Sequence, residues 1–342
     1  MSILITGGSG FIALNLAEVL LKKNEEVVLF SRHSPPEIVL RSFHSHRGEL
    51  HVVEGDVRDR TSLERTFQEF HVDRVFHAAV ITANQERERK EFRSIIEVNL
   101  LGTVEVLEAS RRAGVRRFVY LSSSSVYGRN AFQSSILDEE ETLPLPETLY
   151  AVTKYAGERT SLRFKRLWSM DLVAARVGTV FGPWERDTGV RDTLSPQMQT
   201  MQMALQGRVA ILTGAGRRDW VYSRDVAEAL IAILEAKRPC YDVYNIGPGV
   251  EWTVEEWCSR LKEAYPRFSY RFASEGEEAN VNYHLPQDRA PFAVKRLVND
   301  IGFRPRFGLD EAFTDYMEWV QHSPAFWEMG IHGRKGGEKE ND

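Results

Sequence analysis

Tyr150 and Lys154 stand four positions apart in a segment, residues 150–168, whose apolar side chains recur with a helical period. This spacing places the phenol and the ammonium on one face of the predicted helix, where their charges can couple. A free phenol titrates near ~10 and cannot accept a proton at neutral pH, but a neighbouring ammonium favours the phenolate. Tyr150 is therefore a candidate acid/base, although the same spacing without further context is typical of a surface tyrosine beside a solvated lysine.

Four serines, residues 122–125, end an apolar segment that predicts a buried strand at residues 117–121. Ligands of open α/β sheets bind at the carboxyl ends of the strands. One serine is thus well placed to hydrogen-bond a substrate oxygen that is oxidised or reduced, whereas a serine cluster elsewhere usually forms only a turn.

A glycine-rich loop, residues 6–13, follows the first predicted strand and opens the first predicted helix. Gly7 and Gly10 allow a tight turn and close approach to a pyrophosphate, whose charge meets free amides at the helix N-terminus. The position after the first strand and the absence of a Lys-Ser/Thr pair favour a dinucleotide over a mononucleotide. Ala13 stands where a third glycine is usual, so we expect slightly wider helix–sheet packing without loss of binding.

Short runs rich in β-branched residues alternate with helical stretches, at intervals of roughly 20 to 45 residues that are typical of βα units. The predicted strands are residues 3–5, 26–30, 50–54, 74–77, 117–121 and 171–176. The predicted helices between them are residues 11–23, 61–70, 92–113 and 150–168. This alternation predicts an α/β fold with a doubly wound parallel sheet of the Rossmann type.

The regular alternation fails after residue 182, where residues 184–196 are rich in charge, Gly and Pro. Helices are predicted at residues 196–206 and 225–236, and a strand at 243–246 is expected to return to the sheet. We therefore expect a dinucleotide-binding domain at residues 1–182, rejoined by 221–247. The remaining segments, 183–220 and 248–330, should form a smaller substrate-binding lobe, followed by a flexible tail at 331–342.

Composition excludes several classes of protein. The 342 residues carry a formal net charge of -5, with 42% hydrophobic and 27% charged residues, so no broad basic field for nucleic acid is present. No apolar run reaches transmembrane length and the N-terminal segment lacks a basic n-region, so we expect neither a membrane span nor a signal peptide. Cys240 and Cys258 lack metal-ligand spacing and are interpreted as buried thiols in a reducing compartment, which favours the cytoplasm.

The motifs together resemble the extended short-chain dehydrogenase/reductase superfamily, which includes UDP-galactose 4-epimerases, sugar dehydratases and 4-ketoreductases. The resemblance runs from Met1 to about Val320 and rests on residues 6–13, 55–56, 77–79, 99–103, 122–128, 150–154, 176–183 and 218–221. It implies an NAD(P)-dependent enzyme that catalyses reversible hydride transfer at a secondary alcohol or ketone of a sugar or nucleotide-sugar substrate.

The resemblance also implies roles for individual residues. Ser123 becomes the catalytic hydroxyl, Tyr150 the acid/base, and Lys154 the residue that holds the nicotinamide ribose and lowers the pKa of Tyr150. Asp56 would contact adenine and Asn99 would support the site, although both residue types also close turns. The implied cofactor-binding residues are Gly7, Gly10, Phe11, Ile12, Ser31, Arg32, Asp56, Val57, Ala78, Ala79, Asn99 and Lys154. The implied substrate-binding residues are Ser124, Ser125, Thr179, Arg218 and Arg289, and Arg186 is a further candidate for binding an anion.

The sequence departs from the superfamily pattern in ways that bear on the reaction. Dehydratases follow the catalytic threonine with Asp-Glu, whereas this chain has Ser124 and Ser125, so we do not expect elimination. Thr179 replaces an asparagine typical of nucleotide-sugar epimerases, and Arg218 could contact a nucleotide or serve only the fold. Three hypotheses stay open: epimerisation, net sugar dehydrogenation or 4-ketoreduction without a nucleotide on the substrate, and a non-catalytic NAD(P)-sensing protein.

Coenzyme choice and assembly are also predicted. Ser31 ends the second strand where NAD-selective members carry Asp or Glu, and Arg32 beside it can offer a planar guanidinium to a 2′-phosphate, with His33 as a weaker neighbour. This predicts a preference for NADP, with NAD still usable. The resemblance further implies a homodimer through the helices predicted at 92–113 and 150–168.

Overall fold

A computed structural model describes residues 1–189, 193–283 and 287–332 of the chain. Within these residues the strands are β1 Ser2–Thr6, β2 Glu26–Ser31, β3 Glu49–Glu54, β4 Val72–His77, β5 Arg117–Ser123, β6 Leu172–Val177, β7 Thr179–Phe181, β8 Val209–Leu212, β9 Arg217–Arg218, β10 Trp220–Tyr222, β11 Val243–Ile246, β12 Trp252–Thr253 and β13 Ser269–Phe272. The α-helices are α1 Phe11–Lys22, α2 Glu37–Phe43, α3 Arg60–Glu69, α4 Gln85–Ile96, α5 Gly102–Ala113, α6 Leu149–Trp168, α7 Pro196–Gln206, α8 Ser223–Glu235, α9 Val254–Ala264, α10 Leu309–His322 and α11 Pro324–His332.

A seven-stranded sheet with the order β11-β6-β5-β4-β1-β2-β3 forms the centre of the described chain. All of its neighbouring strands pair in parallel. Parallel strands require crossovers, and the helices that supply them cover both faces of the sheet with apolar side chains. The order reverses between β1 and β4, which is the switch point where such sheets bind ligands. The prediction of a doubly wound Rossmann sheet is confirmed.

The predicted helix at residues 92–113 is wrong in its start and in its continuity. Helix α4 already begins at Gln85, because the Asn84 side chain accepts a hydrogen bond from the amide of Arg87 at 2.9 Å and caps it. Residues 85–91 are almost entirely polar, so they carry no apolar period that would reveal a helix. A π-helical turn, Glu97–Leu101, then separates α4 from α5.

The second half of the chain adds smaller pairs of strands to the Rossmann core. Strands β8 and β13 pair in parallel, β9 pairs with β12 antiparallel, and β10 pairs with β7. Helices α9, α10 and α11 fall in a region where the sequence analysis assigned no elements. Aromatic side chains of α10 and α11 pack against Trp184, whose ring centroid lies 5.4 Å from that of Trp319 and 5.7 Å from that of Phe326. Residues 333–342, most of the predicted tail, lie outside the described residues.

Two further expectations concern the cysteines and the membrane. Cys258 is a buried thiol, as expected, but Cys240 is exposed, because it lies in the turn between α8 and β11. The expectation of two buried thiols is therefore wrong for Cys240. Among the described helices, none combines the length and the apolar character needed to span a bilayer.

Candidate active site

A cavity of about 1230 Å³ lies along the carboxyl edge of the central sheet. Its wall runs from the glycine-rich loop after β1, past the ends of β2 to β5 and the start of α6, to Arg218 and Arg289. Every residue that the sequence analysis assigned to catalysis, cofactor binding or substrate binding lines this cavity, with the exception of Asn99. One continuous cavity thus joins the predicted cofactor and substrate residues.

The glycine-rich loop is shaped by close backbone contacts. Gly7 has a φ of +69°, and a Cβ there would lie 2.9 Å from the backbone of Ala79. At Gly8 a Cβ would lie 2.7 Å from the Cβ of Leu29, so both positions require glycine. The amide of Gly10 donates to the carbonyl of Gly7 at 2.7 Å, and α1 begins at the next residue. The amides of its first turn have no partner within the helix and can meet a phosphate.

His77 ties the glycine-rich loop to the neighbouring strand. Its Nδ1 lies 2.7 Å from the Thr6 hydroxyl, which also accepts hydrogen bonds from the amides of Ala78 and Ala79 at 3.2 Å. Burial, and secondarily the Lys154 ammonium, lowers the pKa of His77 to about 3. The imidazole is therefore neutral at physiological pH and holds the loop as a hydrogen-bonding group.

Asn99 lies behind the cavity wall. Its amide side chain accepts from the Ile81 amide at 2.8 Å and donates to the Ile81 carbonyl and to the Thr153 hydroxyl, both at 3.0 Å. Thr153 lies between Tyr150 and Lys154 on α6. Asn99 thus joins the loop after β4 to the helix that carries the tyrosine and the lysine.

Helix α6 presents Tyr150 and Lys154 to the cavity. Thr148 caps the helix by accepting from the Ala151 amide at 3.1 Å, which places Tyr150 in the first turn. Lys154 is 3% exposed; its Nζ donates to the Leu121 carbonyl and lies 4.6 Å from the centroid of the Tyr120 ring. Burial lowers the pKa of Lys154 to about 7, an effect that a carboxylate one turn further along α6 opposes.

Ser123 is the last residue of β5 and is held by its neighbour Ser125. The Ser123 Oγ accepts hydrogen bonds from the Ser125 amide at 3.2 Å and from the Ser125 hydroxyl at 3.0 Å. Both bonds use lone pairs, so the hydroxyl hydrogen of Ser123 is left to donate. Ser124 and Ser125 line the same part of the cavity.

The ends of β2 and β3 form the part of the cavity where the sequence predicts the adenosine. Ser31 donates its hydroxyl to the carbonyl of His33 at 2.8 Å, and Arg32 lines the cavity beside it. Asp56 is paired with Arg58, whose guanidinium lies 2.7 Å from its carboxylate. Hydrogen bonding from Arg58 is the largest cause that lowers the pKa of Asp56, which keeps this carboxylate charged.

Three arginines with buried side-chain atoms also line the cavity: Arg186 beside the glycine-rich loop, and Arg218 and Arg289 in the second half of the chain. Arg186 donates to the carbonyl of Ser9 at 2.6 Å, while its other terminal nitrogen, Nη1, is buried and has no hydrogen-bond partner among the described residues. Arg218 donates to the carbonyls of Tyr283 and Gln287 at 3.0 and 3.2 Å. Burial lowers the pKa of Arg186 and of Arg218 to about 10.

Arg289 is paired with a buried carboxylate. Its Nη2 lies 2.7 Å from Asp219, whose second oxygen accepts the amide of Phe292 at 3.0 Å. Several cavity residues were missed by the sequence analysis, among them Glu88, Phe132 and Asn282. Glu88 lies on the polar helix α4, Phe132 ends a 3-10 helix and Asn282 lies in a loop. None belongs to a recognisable motif, so only their position in the fold reveals them.

The fold and the cavity are those of a dinucleotide-dependent oxidoreductase: a tight glycine-rich loop after β1, a lysine one turn after a tyrosine, and a serine hydroxyl share one cavity. The model of the NAD dependent epimerase/dehydratase family matches residues 3–247, and the chain belongs to this family. The prediction of the extended short-chain dehydrogenase/reductase superfamily is thereby confirmed.

Relatives cover nearly the whole chain at low sequence identity. UDP-glucuronate 4-epimerase 1 of Arabidopsis thaliana is 27% identical over 345 residues, covering 93% of this chain and 76% of the relative. The structure of the epimerase Mth375 from Methanothermobacter thermautotrophicus has a TM-score of 0.81 at 26% identity, covering 96% of this chain and 94% of that one. The structure of MoeE5 in complex with UDP-glucose and NAD has a TM-score of 0.75 at 27% identity, with 95% and 100% covered.

The protein is therefore an NAD(P)-dependent enzyme of the epimerase and oxidoreductase type, acting by reversible hydride transfer.

Proposed function

We propose that the protein epimerises the C4 carbon of a nucleoside-diphosphate sugar, using Ser123, Tyr150 and Lys154 as its catalytic residues. The observation that carries this proposal is the continuity of the cavity from the glycine-rich loop and Arg186, past the three catalytic residues, to Arg218 and Arg289. A substrate with a sugar at one end and a diphosphate at the other fits this arrangement. The names of the relatives support the same class: one is a UDP-glucuronate epimerase and another was solved with UDP-glucose.

The glycine-rich loop would hold the pyrophosphate of the dinucleotide, and Lys154 would hold its nicotinamide ribose. The tight packing at Gly7 and Gly8 supports this fit. Because neither position has room for a side chain, the backbone of the loop itself can approach the pyrophosphate. When bound, the nicotinamide supplies an acceptor and donor of hydride. In an epimerase, the ketone formed on the sugar would rotate within the site and present its other face before it is reduced.

The chain's own residues handle the proton. The Tyr150 phenolate would take the hydroxyl proton as the alcohol becomes a ketone and return it when the ketone is reduced. The Lys154 ammonium stabilises the phenolate, and the Ser123 hydroxyl donates to the same substrate oxygen. Tyr150 and Ser123 would thus act on the same substrate oxygen, as positioned acid–base catalysis requires.

The arginines would bind the substrate's anionic groups. A buried guanidinium nitrogen without a hydrogen-bond partner is costly, and an oxygen of a phosphate would satisfy Nη1 of Arg186. Arg218 and Arg289 lie across the cavity, where they can approach the diphosphate or the nucleoside. This assignment favours a substrate with a nucleotide, even though Thr179 departs from the usual asparagine.

Epimerase activity is tested by incubating the purified enzyme separately with UDP-glucose, UDP-galactose and UDP-glucuronate and following the C4 epimers by NMR. Arg186→Leu should raise KM at least about tenfold, since charged hydrogen bonds contribute roughly 1.5–3 kcal/mol each. Lys90→Met, on the exposed face of α4, is the matched control that should leave KM unchanged. Absence of any C4 interconversion with all three substrates would overturn the proposal.

A net dehydrogenase or 4-ketoreductase is the second candidate, because Ser123, Tyr150 and Lys154 would serve its first step equally well. The two reactions differ in the fate of the cofactor. An epimerase retains its cofactor through purification and shows no lasting change in nicotinamide absorbance on turnover, whereas a net oxidoreductase must release it. A non-catalytic NAD(P)-sensing protein, the third hypothesis, would show cofactor binding without even a half-reaction across a broad sugar panel.

We further propose that the enzyme prefers NADP. Ser31 and Arg32 line the adenosine end of the cavity, so a 2′-phosphate would meet a hydroxyl and a guanidinium instead of a carboxylate at the end of β2. Titration of the apo-enzyme should give a lower Kd for NADP than for NAD, and Arg32→Ala should remove the difference. Equal Kd values for the two coenzymes in the unsubstituted enzyme would contradict this preference.

The proposed assembly is a homodimer through the segment 85–113 and α6. Phe92, Leu101 and Val152 lie on these packed elements and are 59%, 53% and 44% exposed. Apolar side chains of this exposure on neighbouring helices are typical of a surface that a partner covers. The division into a Rossmann domain and a substrate-binding lobe also remains part of this proposal.

A further inference from the structure

A buried ion pair lies directly behind the serine cluster, outside the groups that face the cavity. The carboxylate of Glu158, on α6, is 0% exposed and pairs with Arg176 of β6 through two contacts, at 2.7 and 3.0 Å. Arg176 is itself only 4% exposed. Neither residue lines the cavity, so neither can touch a substrate.

The ion pair contacts both ends of the segment that carries the serines. At one end, the Ser122 hydroxyl donates to Glu158 at 2.7 Å. At the other end, Arg176 donates to the Tyr127 hydroxyl at 3.0 Å, and that hydroxyl donates to the Asn245 side chain at 2.9 Å. Residues 122 and 127 bracket Ser123, so the segment is held on each side by the same pair.

The same region also fixes the lysine. Lys154 lies one helical turn before Glu158, and its ammonium donates to the carbonyl of Leu121, the residue before Ser122. The next turn of the segment is constrained as well: at Gly128, with a φ of +51°, a Cβ would overlap the carbonyl of Leu145. The positions of the serine and lysine groups are thus set by contacts within one small buried region.

A fold does not need such an ion pair for its stability. Replacing a buried pair by apolar side chains of similar size is often neutral or stabilising, because the desolvation of both charges offsets their attraction. What apolar side chains cannot supply is a hydrogen-bonding partner for Ser122 and Tyr127 at fixed positions. The geometry therefore points to a role in orientation.

We propose that Glu158 and Arg176 are positioning residues for hydride transfer: their ion pair fixes residues 122 and 127 and thereby sets where the Ser123 hydroxyl meets the substrate oxygen. This inference rests on the proposed catalytic role of Ser123. Ser122 and Tyr127 would transmit the position of the ion pair to Ser123. Cofactor and substrate would be bound by the residues already assigned to those roles.

Ser122→Ala removes one hydrogen bond and Tyr127→Phe removes two, and both leave the ion pair intact, so the fold should survive. With UDP-glucose as the substrate, the double variant should lose about 10- to 100-fold in kcat, the range that a misplaced catalytic group costs. KM and the Kd for the coenzyme should stay within about twofold, because the Ser122 hydroxyl is engaged by Glu158 and Tyr127 does not line the cavity. Ser161→Ala and Tyr244→Phe are matched controls, since both hydroxyls are inside the fold but away from the cavity, and they should keep the original kcat.

A second variant removes the pair itself. Glu158→Leu combined with Arg176→Met removes both charges of the pair together, so the variant should still unfold cooperatively, and it should lose kcat. If this variant or the Ser122/Tyr127 double variant keeps kcat within twofold, the positioning role is overturned. Ser123→Ala is measured in parallel: if it also retains full activity, the proposed function fails as well, whereas its inactivation beside an active double variant refutes the positioning role alone.

Discussion

Replacement of Lys154 by methionine should make the protein more stable near neutral pH while removing its activity. The ammonium of Lys154 is 3% exposed, and burial lowers its pKa from the ordinary value of 10.5 to about 7. Methionine fills a similar volume without a charge. Loss of the ammonium removes the proposed stabilisation of the Tyr150 phenolate and the contact with the ribose, so both turnover and coenzyme affinity should fall.

The size of the stability effect follows from the two pKa values. The unfolded chain binds a proton between about pH 7 and 10.5 that the folded chain lacks, so stability rises with pH across this interval. At about 1.36 kcal/mol for each pKa unit, keeping Lys154 costs the fold about 4 kcal/mol near pH 7. Methionine recovers this cost but leaves the Leu121 carbonyl without its donor, at roughly 1–3 kcal/mol. The net gain should be about 1–3 kcal/mol near pH 7 and should reverse towards pH 10.

Urea unfolding at several pH values between 7 and 10 measures this directly. The free energy of unfolding should climb with pH in the unsubstituted protein and climb less steeply in Lys154→Met, so that the two curves cross. Lys90→Met is the control: Lys90 is exposed, and its pKa is raised by hydrogen bonding to Glu86, so it titrates above this interval. Parallel curves for Lys154→Met and the unsubstituted protein would show that the buried ammonium carries no such cost.

Three further substitutions test separate parts of the site and the assembly. Tyr150→Phe keeps the ring and removes the proton-transferring hydroxyl; turnover should fall about 10²–10⁴-fold with coenzyme Kd unchanged, and a near-normal rate in a stopped-flow assay would remove Tyr150 from its role. Gly7→Ala forces a side chain into a φ of +69° and against Ala79, so unfolding experiments should show a loss of at least about 1–2 kcal/mol and titration a weaker coenzyme affinity. Leu101→Glu should convert a homodimer into a monomer in light scattering, and a dimeric mass for this variant would exclude Leu101 from the interface.

The fold was predictable because its signals are local. Strand β11 coincides with the predicted residues 243–246, and α7 with 196–206, because a short run containing Val and Ile and a Met- and Gln-rich segment are each recognisable within a few residues. The start of α4 was not predicted, because its first two turns are polar on every side and its first residue is set by a cap from Asn84. Periodicity detects a helix only where one face is apolar.

The candidate site was predictable where a motif fixes the position along the chain. One cavity contains the glycine-rich loop, Ser123, Tyr150 and Lys154, because each occupies a fixed place in a βα unit. Asn99 lies behind the wall because its side chain is used by Ile81 and Thr153, which its residue type alone does not reveal. Glu158 follows Lys154 by four residues, the same spacing that marked Tyr150 and Lys154, but its partner Arg176 lies on another strand and becomes visible only in three dimensions.

Strand β11 places a constraint on how the chain is made. It pairs with β6, which precedes it by a long stretch of chain, and its Asn245 reaches Tyr127 across 118 positions. A ribosome adding about 5–20 residues each second will have exposed β6 for several seconds before β11 emerges. During that time the edge of β6 lacks its neighbour and the serine segment lacks one anchor, so the nascent chain carries an open strand edge of the kind that recruits other chains. The step that completes the sheet during synthesis is therefore also the step that supplies the Asn245 anchor of the serine segment.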